Sequence, residues 1–474
     1  MKKIVIIGSG MTGLSAAFYA AEEAKAQGLV VGQDVQIDVL EAADRLGGKV
    51  RTHRADGFVL EQGPDSFLAR KRPMLELVRA LGIEDQLVPT NPAAKKTYIV
   101  HQGKAHLMPQ GLVLGVPTQV GPFVRTGLIS LVGKLRAGFD LVLPRRAADK
   151  GDESLGSFLR RRLGSQVMTR IAEPLLAGIY AGDCDKLSLR ATFPQFEQIE
   201  RNYRSLILGM TASRKQTQVS TDLPEIAKQS MFLSFRQGLG SLIDVLVARL
   251  QAEGVGLHTG VKVAKMIQTP SGYTLQSTTE ANWEADRVIV TTPAFAAADL
   301  LAPLAPEVDA LRGIAYVSVA NVLLAYNKSD IDVPLDGSGY VVPKTEGRFI
   351  TACTWTSSKW GHTAPSDRVV LRCYVGRQGD ENWQSLSDDE IISGVRRDLR
   401  ELSGVGAEPA FVQVNRWITS MPQYPVGHLD VLTSVKHALA EQVPGVTLAG
   451  SAYYGVGLPD CIQQGREAAE RVMR

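Results

Sequence analysis

The sequence predicts a mixed α/β protein of more than one domain, and three observations carry that expectation. Lys3-Ile4-Val5-Ile6-Ile7 is a short β-branched run of the kind buried on both faces of a parallel sheet. It breaks at Gly8-Ser9-Gly10-Met11-Thr12-Gly13, after which Leu14, Ala17, Phe18, Ala21 and Ala24 recur at helical spacing. A second strand over residues 35–40 then ends on Glu41, and a chain of 474 residues is too long for one compact core.

Each part of this strand–loop–helix–strand unit has a physical task. Gly8 makes the tight turn, Gly10 lets backbone approach a pyrophosphate, and Gly13 lets helix and strand pack closely. Ser9 sits between them, and the helix N-terminus offers unpaired N–H groups to phosphate charge. Glu41 can accept hydrogen bonds from a ribose. It lies 28 residues past Gly13, later than the usual ~20, and the polar residues 27–34 read as a lengthened turn that accounts for the delay. The glycine pattern alone is weak; between a strand and a helix, with an acid ending the next strand, it is strong.

Composition excludes several classes. Hydrophobic residues make up 45% and charged residues 21%, ordinary for a globular protein. The net charge of +3 gives no argument for nucleic acid. Cys184, Cys353, Cys373 and Cys461 are scattered, without a zinc spacing, and seven histidines show no H-x-x-x-H, so no metal site is read and a reducing cytoplasm is expected. The first strand starts at once, so no signal peptide is expected, and no run of 18 apolar residues could span a membrane.

Ala42-Ala43-Asp44-Arg45-Leu46-Gly47-Gly48-Lys49 follows Glu41. This E-x-x-x-R-x-G-G string resembles the flavin amine oxidase superfamily, in which the added glycines and arginine wrap the FAD diphosphate. Gly57-Phe58 and Glu61-Gln62-Gly63-Pro64-Asp65-Ser66 match that superfamily too. The resemblance places Ala42, Arg45, Gly48 and Lys49 on the cofactor, with Gly63, Pro64, Asp65 and Ser66 passing close to the flat ring. Arg70-Lys71-Arg72 then precedes a helix over residues 74–81. Each cation alone is equally well a solvated helix start; as a cluster they favour an acidic substrate, with Lys71 and Arg70 as the candidate contacts.

Residues 111–213 read as a mainly helical insert, from Leu128, Ile129, Leu131, Val132, Leu135, Phe139 and Val142 and again from Leu155, Phe158, Leu159 and Leu163. Residues 125–170 hold ten Lys/Arg and four Asp/Glu, a local +6. Such a block can sit on an anionic membrane surface, although a solvated basic face is the commoner case. In Glu173-Pro174-Leu175-Leu176-Ala177-Gly178-Ile179-Tyr180-Ala181-Gly182, small residues among large ones suit backbone against a ligand or tight helix packing. Residues 213–227 read as an exposed linker. A helix with Leu242, Leu246, Val247 and Leu250 follows, then strands near 261–267 and 287–291. Residues 296–432 mix strands with a helix over 388–402, an α+β arrangement. Val446-Thr447-Leu448-Ala449-Gly450-Ser451 and Gly455-Val456-Gly457-Leu458-Pro459 lead into a helix whose stripe is Cys461, Ile462, Gly465, Ala468, Ala469 and Val472.

Gly63-Pro64-Asp65-Ser66-Phe67-Leu68, Gly178-Ile179-Tyr180-Ala181-Gly182, Leu187-Ser188 and Gly455 through Ile462 together resemble the porphyrinogen oxidases of haem synthesis, in particular the Gram-positive bacterial type. That resemblance implies a Rossmann-like FAD-binding domain built from residues 1–70, 232–295 and 433–474. It implies an α+β substrate domain from 71–110, 214–231 and 296–432, and a helical, membrane-facing domain at 111–213. Further cofactor contacts are implied at Val263, whose backbone holds the adenine, at Trp417 beside the ring, and at Gly450, Val456, Gly457, Leu458 and Pro459, where a helix start faces the flavin. Many relatives carry Gly-Asp, with the aspartate on the flavin ribitol, where this chain has Gly450-Ser451, so the resemblance does not extend to that contact.

The implied reaction is removal of six electrons from coproporphyrinogen III or protoporphyrinogen IX, with molecular oxygen as acceptor and hydrogen peroxide as product. Flavin N5 carries the chemistry and no side chain is assigned as catalytic. Gly178 and Ile179 would line the apolar face of the substrate. Peripheral contact with anionic membrane and hand-over to the next haem-synthesis enzyme are expected partners. An amine oxidase or polyene desaturase of the same superfamily is the alternative, with a flavin-binding protein lacking turnover behind it. An amine substrate would disfavour the cationic cluster at residues 70–72.

Overall fold

The structure, a computed structural model, describes residues 1–147, 150–217 and 223–474. Five parallel strands form its first sheet, in the order Gly256–His258, Val35–Leu40, Lys2–Ile7, Arg287–Val290 and Val446–Leu448. All three chain segments expected in the nucleotide-binding unit therefore contribute strands. Side chains alternate along the central strand: Ile4 and Ile6 enter one buried core, Val5 and Ile7 the other. Burial on both faces is why this run is apolar throughout.

The first face is covered by the helices Met11–Ala26, Gly240–Ala252 and Leu458–Met473, through Leu14, Leu242 and Ile462 among others. The first and last of these cross at closest approach, because a β-carbon on Gly465 would stand 2.5 Å from the Thr12 carbonyl oxygen. The second face is covered by the antiparallel strands Val263–Thr269, Gly272–Ser277 and Asn282–Ala285 and by the helices Ala294–Leu301 and His428–Gln442. The last helix lies outside the elements read from the sequence, although Leu432, Val435 and Leu439 repeat at helical spacing and are buried.

The packing draws the domain borders differently from the expected division. Met74, Leu75, Leu77 and Val78 of the Arg72–Ala80 helix enter the nucleotide-unit core beside Ala468 and Ala469, as does Ala227. Residues 294–314 likewise pack on the second face of the parallel sheet. An apolar stripe shows that a helix has a buried side but not which neighbour covers it. The expected linker is also shorter than residues 213–227. The Leu206–Thr217 and Glu225–Gln229 helices take up its ends, and residues 218–222 lie outside the described residues.

The second sheet has seven strands, in the order Phe411–Pro422, Tyr316–Asn327, Arg368–Val375, Ile350–Trp355, Gly337–Val341, Lys96–His101 and Lys104–Leu107. One face buries Val322, Leu324, Leu371 and Cys373 under Ile391, Val395 and Leu399 of the Asp388–Ser403 helix. That helix starts with a Ser387/Glu390 capping box. The other face carries Leu323, Ala325 and Val370 against Leu60, and so meets the hairpin Thr52–Ala55/Phe58–Glu61 that leaves the nucleotide unit.

The insert is helical as expected, built around Leu155, Phe158, Leu159, Ile171 and Phe196. Its basic runs do not form the expected charged face. Arg162 is fully buried on Asp140, also fully buried, and donates further to the carbonyls of Pro144 and Arg204. Arg161 pairs with Glu200 and Glu153, Arg160 with Asp185, and Arg146 with Glu153. Arg136 binds the carbonyls of residues 160, 161 and 162 at the end of the Leu155–Leu163 helix.

The hairpin ends on Glu61, buried, with its carboxylate accepting from the Leu239 N–H and, at 2.8 Å, the Thr52 hydroxyl. Burial raises its pKa to about 7 despite those two donors. An acid whose folded pKa exceeds its unfolded value stabilises fully below ~4.5 and loses that stability as pH rises through about 7. Glu61→Gln should therefore gain stability relative to the parent between pH 5 and pH 8, by roughly 2–4 kcal/mol. Denaturant midpoints across that range check this. Gly465→Ala should cost about 1–3 kcal/mol by forcing the two crossing helices apart, read as a lower midpoint at constant pH.

Candidate active site

The nucleotide end is built by backbone. The Met11–Ala26 helix starts at Gly10 with no side-chain cap and no acid in its first turn, so its leading N–H groups remain available to an anion. A β-carbon on Gly10 would meet nothing within 4 Å, whereas one on Gly13 would lie 1.9 Å from the Gly8 carbonyl. Gly10 thus faces open space, and Gly13 allows the helix to leave the strand. Gly48 passes over this loop, its would-be β-carbon 3.0 Å from the Gly10 Cα.

Glu41 Oε2 accepts from the Ser9 N–H at 2.8 Å and its hydroxyl at 2.7 Å, and Oε1 accepts from the Ala43 N–H at 2.8 Å. The carboxylate braces the glycine loop and keeps acceptor capacity on Oε1 for a ribose hydroxyl. Ala42, exposed, lies beside it. Arg45 holds the neighbouring turn, donating to the carbonyls of Gly48 and Val50 at 2.8 and 2.9 Å. The Gly260 and Val261 N–H groups bind the carbonyls of Ala43 and Glu41, which brings Val263 alongside the end of this strand. An uncapped helix start, an open glycine and a ribose acceptor together fit the diphosphate and adenosine of FAD.

At the other end of the cleft, Gly63 lies against residue 49: a β-carbon there would stand 1.8 Å from the Lys49 carbonyl oxygen. The following loop carries Pro64, Asp65 and Ser66, and the Ser66 hydroxyl donates to Asp65. Burial alone would raise the Asp65 pKa, but Lys359, 3.5 Å away, and Arg372 hold it at about 2. The Trp417 indole N–H donates to the Gln62 carbonyl at 2.7 Å, which fixes the ring at this loop. Lys49 donates its ammonium to the Ser420 carbonyl, and crowding by protein lowers its pKa.

The C-terminal turn completes the cleft. Gly450 has φ +139° and donates its N–H to Gln464 at 3.1 Å. The Tyr424 hydroxyl donates to the Ser451 carbonyl at 2.6 Å and accepts from the Gly455 N–H at 3.0 Å. The Leu458–Met473 helix then starts at Gly457 with no side-chain cap and Pro459 in its first turn. Val456 packs on the core of the helical insert.

Of the substrate candidates, Lys71 reaches this turn but carries a partner, Asp460 of the last helix's first turn. Arg70 is exposed. Gly178 faces open space and Ile179 is 45% exposed, whereas Gly182 is packing, its would-be β-carbon 2.2 Å from Gln423 Oε1. The structure thus separates two glycines that composition could not. Sequence reading missed Asn321, Arg372, Tyr374 and Arg377. Register places Asn321, Tyr374 and Asn415 side by side on the inward face of the second sheet. Arg372 lies over the Tyr374 ring, 5.0 Å from its centre. Period-two alternation in residues 368–375 marks that face, but nothing local marks which face is inward.

Comparison with known proteins agrees with this geometry. The family model described as flavin containing amine oxidoreductase matches residues 11–473. Bacillus subtilis coproporphyrinogen III oxidase is 44% identical over 98% of this chain and 97% of its own length. The Staphylococcus aureus protein of the same name is 38% identical over 100% and 99%. The chloroplastic protoporphyrinogen oxidase of Nicotiana tabacum is 32% identical over 99% and 85%. A crystal structure from Exiguobacterium sp. 255-15, named for protoporphyrinogen oxidase, matches with TM-score 0.85 and 36% identity over 100% of this chain and 98% of that one. The chain therefore belongs to the flavin containing amine oxidoreductase family and is an FAD-dependent oxidoreductase.

Proposed function

We propose that this enzyme oxidises a porphyrinogen of haem synthesis, with coproporphyrinogen III as the preferred substrate. The observation that carries the reading is full-length similarity, at 44% and 38% identity, to two relatives named coproporphyrinogen III oxidase. The cleft supports it. Gly178 and Ile179 offer an open apolar stretch to a flat macrocycle, and Tyr374 and Trp417 are partly exposed on the sheet behind it. Arg377, half-buried, reaches the Val342 carbonyl at 3.5 Å and lies within the electrostatic influence of Glu173 in the same helix, which makes it a further cation that a carboxylate arm could meet. Lys71 can do so at the cost of its contact with Asp460.

When bound, FAD would supply a two-electron acceptor that molecular oxygen could reoxidise with release of hydrogen peroxide, and three such rounds would account for six electrons. The protein's part is to orient the macrocycle and to balance propionate charge. An amine oxidase reading would need a cleft that welcomes positive charge. Turnover of amines but not porphyrinogens would establish it instead. The deciding measurement is kcat/KM for coproporphyrinogen III against protoporphyrinogen IX on one preparation. At least a tenfold preference for the former is expected, about 1.4 kcal/mol. Preference for the latter would overturn the substrate while leaving the oxidase.

A second observation bears on location. Leu131, Val132, Leu135, Phe139 and Val142 each expose more than half of their surface on one side of the insert. Arg125, Arg145 and Lys150 are exposed in the same region. No helix among the described residues is long and apolar enough to cross a membrane. This face supports a cytoplasmic enzyme that rests on a lipid surface by apolar burial, with charge a minor part, and that passes its porphyrin to the next haem-synthesis enzyme nearby. Sedimentation with neutral vesicles should persist at high salt and fall about tenfold in a Leu131→Glu/Leu135→Glu variant. No sedimentation with either neutral or anionic vesicles would exclude the surface contact.

A further inference from the structure

The loop at residues 62–66 is held from the second sheet through its backbone. The Gln62 carbonyl accepts two hydrogen bonds, from Trp417 Nε1 and from Asn321 Nδ2, each 2.7 Å. Both lone pairs of that oxygen are therefore used. Asn321 is buried, and Asn415 Nδ2 donates to its Oδ1 at 3.0 Å, which fixes the amide with its NH2 toward the loop. One residue on, the Gly63 carbonyl accepts from Arg372 Nη2. Arg372 is buried as well, and its guanidinium plane is set by the Tyr374 ring. On the opposite side the loop cannot retreat, because Gly63 already lies on the Lys49 carbonyl.

We propose that Asn321 and Arg372 are positioning residues for the flavin. They belong to a different sheet from the nucleotide fold, yet they fix the backbone that would pass the ring. Three neighbouring strands, Tyr316–Asn327, Arg368–Val375 and Phe411–Pro422, each send one donor to two successive carbonyls, so the sheet that lines the substrate side also sets the loop on the cofactor side. The arrangement is directional. A buried carbonyl that loses a donor retains its desolvation cost, so loosening the clasp moves the loop rather than merely weakening a contact.

The assignment holds whichever porphyrinogen is the substrate, and its test reads the flavin rather than turnover. Asn321→Ala should weaken FAD binding to the flavin-free protein about tenfold, measured by quenching of flavin fluorescence. It should also shift the visible absorption band of the flavin in the loaded enzyme. Asn415→Ala should move both readouts in the same direction by less, because it only releases the Asn321 amide. Arg372→Lys keeps the charge and one donor but loses the fork, and should change the visible band without preventing folding. A lower melting temperature with unchanged FAD affinity and unchanged absorption band in all three variants would reduce both residues to structural support and overturn the proposal. If Asn321→Ala does not fold, the same two readouts on Asn415→Ala and Arg372→Lys decide it.

Discussion

The Lys49 carbonyl oxygen lies 1.8 Å from where a β-carbon on Gly63 would have to be, and that contact holds the two halves of the cleft at a fixed distance. On one side is the turn that Arg45 shapes; on the other is the loop clasped by the second sheet. A similar approach of Gly13 to the Gly8 carbonyl sets where the first helix begins. Backbone laid on backbone leaves no side chain to adjust at that contact, so the loop's position is set by chain path on this side and by the donors of the second sheet on the other. A long, thin cofactor reaching from the helix start at Gly10 toward the turn before Leu458 would depend on that rigidity.

The nucleotide end of the cleft was legible because its signals are local. Strand, glycine loop, helix and terminal acid fall within the first 41 residues, and each element appears within a residue of its expected place. The C-terminal helix was equally plain from its stripe of small residues. Less legible was anything fixed by a partner far along the chain. Residues 72–80 carry a clear apolar stripe, yet only packing assigns it to the nucleotide unit. Asn321 looks like any polar residue in an apolar strand. Its role exists only because residue 62 lies opposite, 259 positions away.

Charge was the least transferable reading. The insert's run of arginines counts as a basic surface in sequence. In the fold, Arg160, Arg161 and Arg162 meet Asp185, Glu200 and Asp140, so a net charge summed over a window describes little of the surface. The amphipathic spacing over residues 128–142 was read only as helix, and the structure divides it: Leu128 and Ile129 are buried, whereas Leu131, Val132, Leu135, Phe139 and Val142 are exposed. Spacing reports that one side of a helix is apolar; it does not report what that side faces.

The chain's two ends meet: the Lys2 ammonium donates to the Met473 carbonyl at 3.0 Å, across 471 positions. The fifth strand of the parallel sheet and the helix that carries Gly465 come from the last thirty or so residues. During synthesis the Met11–Ala26 helix therefore emerges early and waits for nearly the whole chain before the helix that crosses it exists. Contacts of such sequence separation make folding slow and leave apolar strand edges exposed meanwhile. Until the Leu458–Met473 helix has been made, the cleft lacks the wall that its first turn supplies, so cofactor capture would require that helix to be in place.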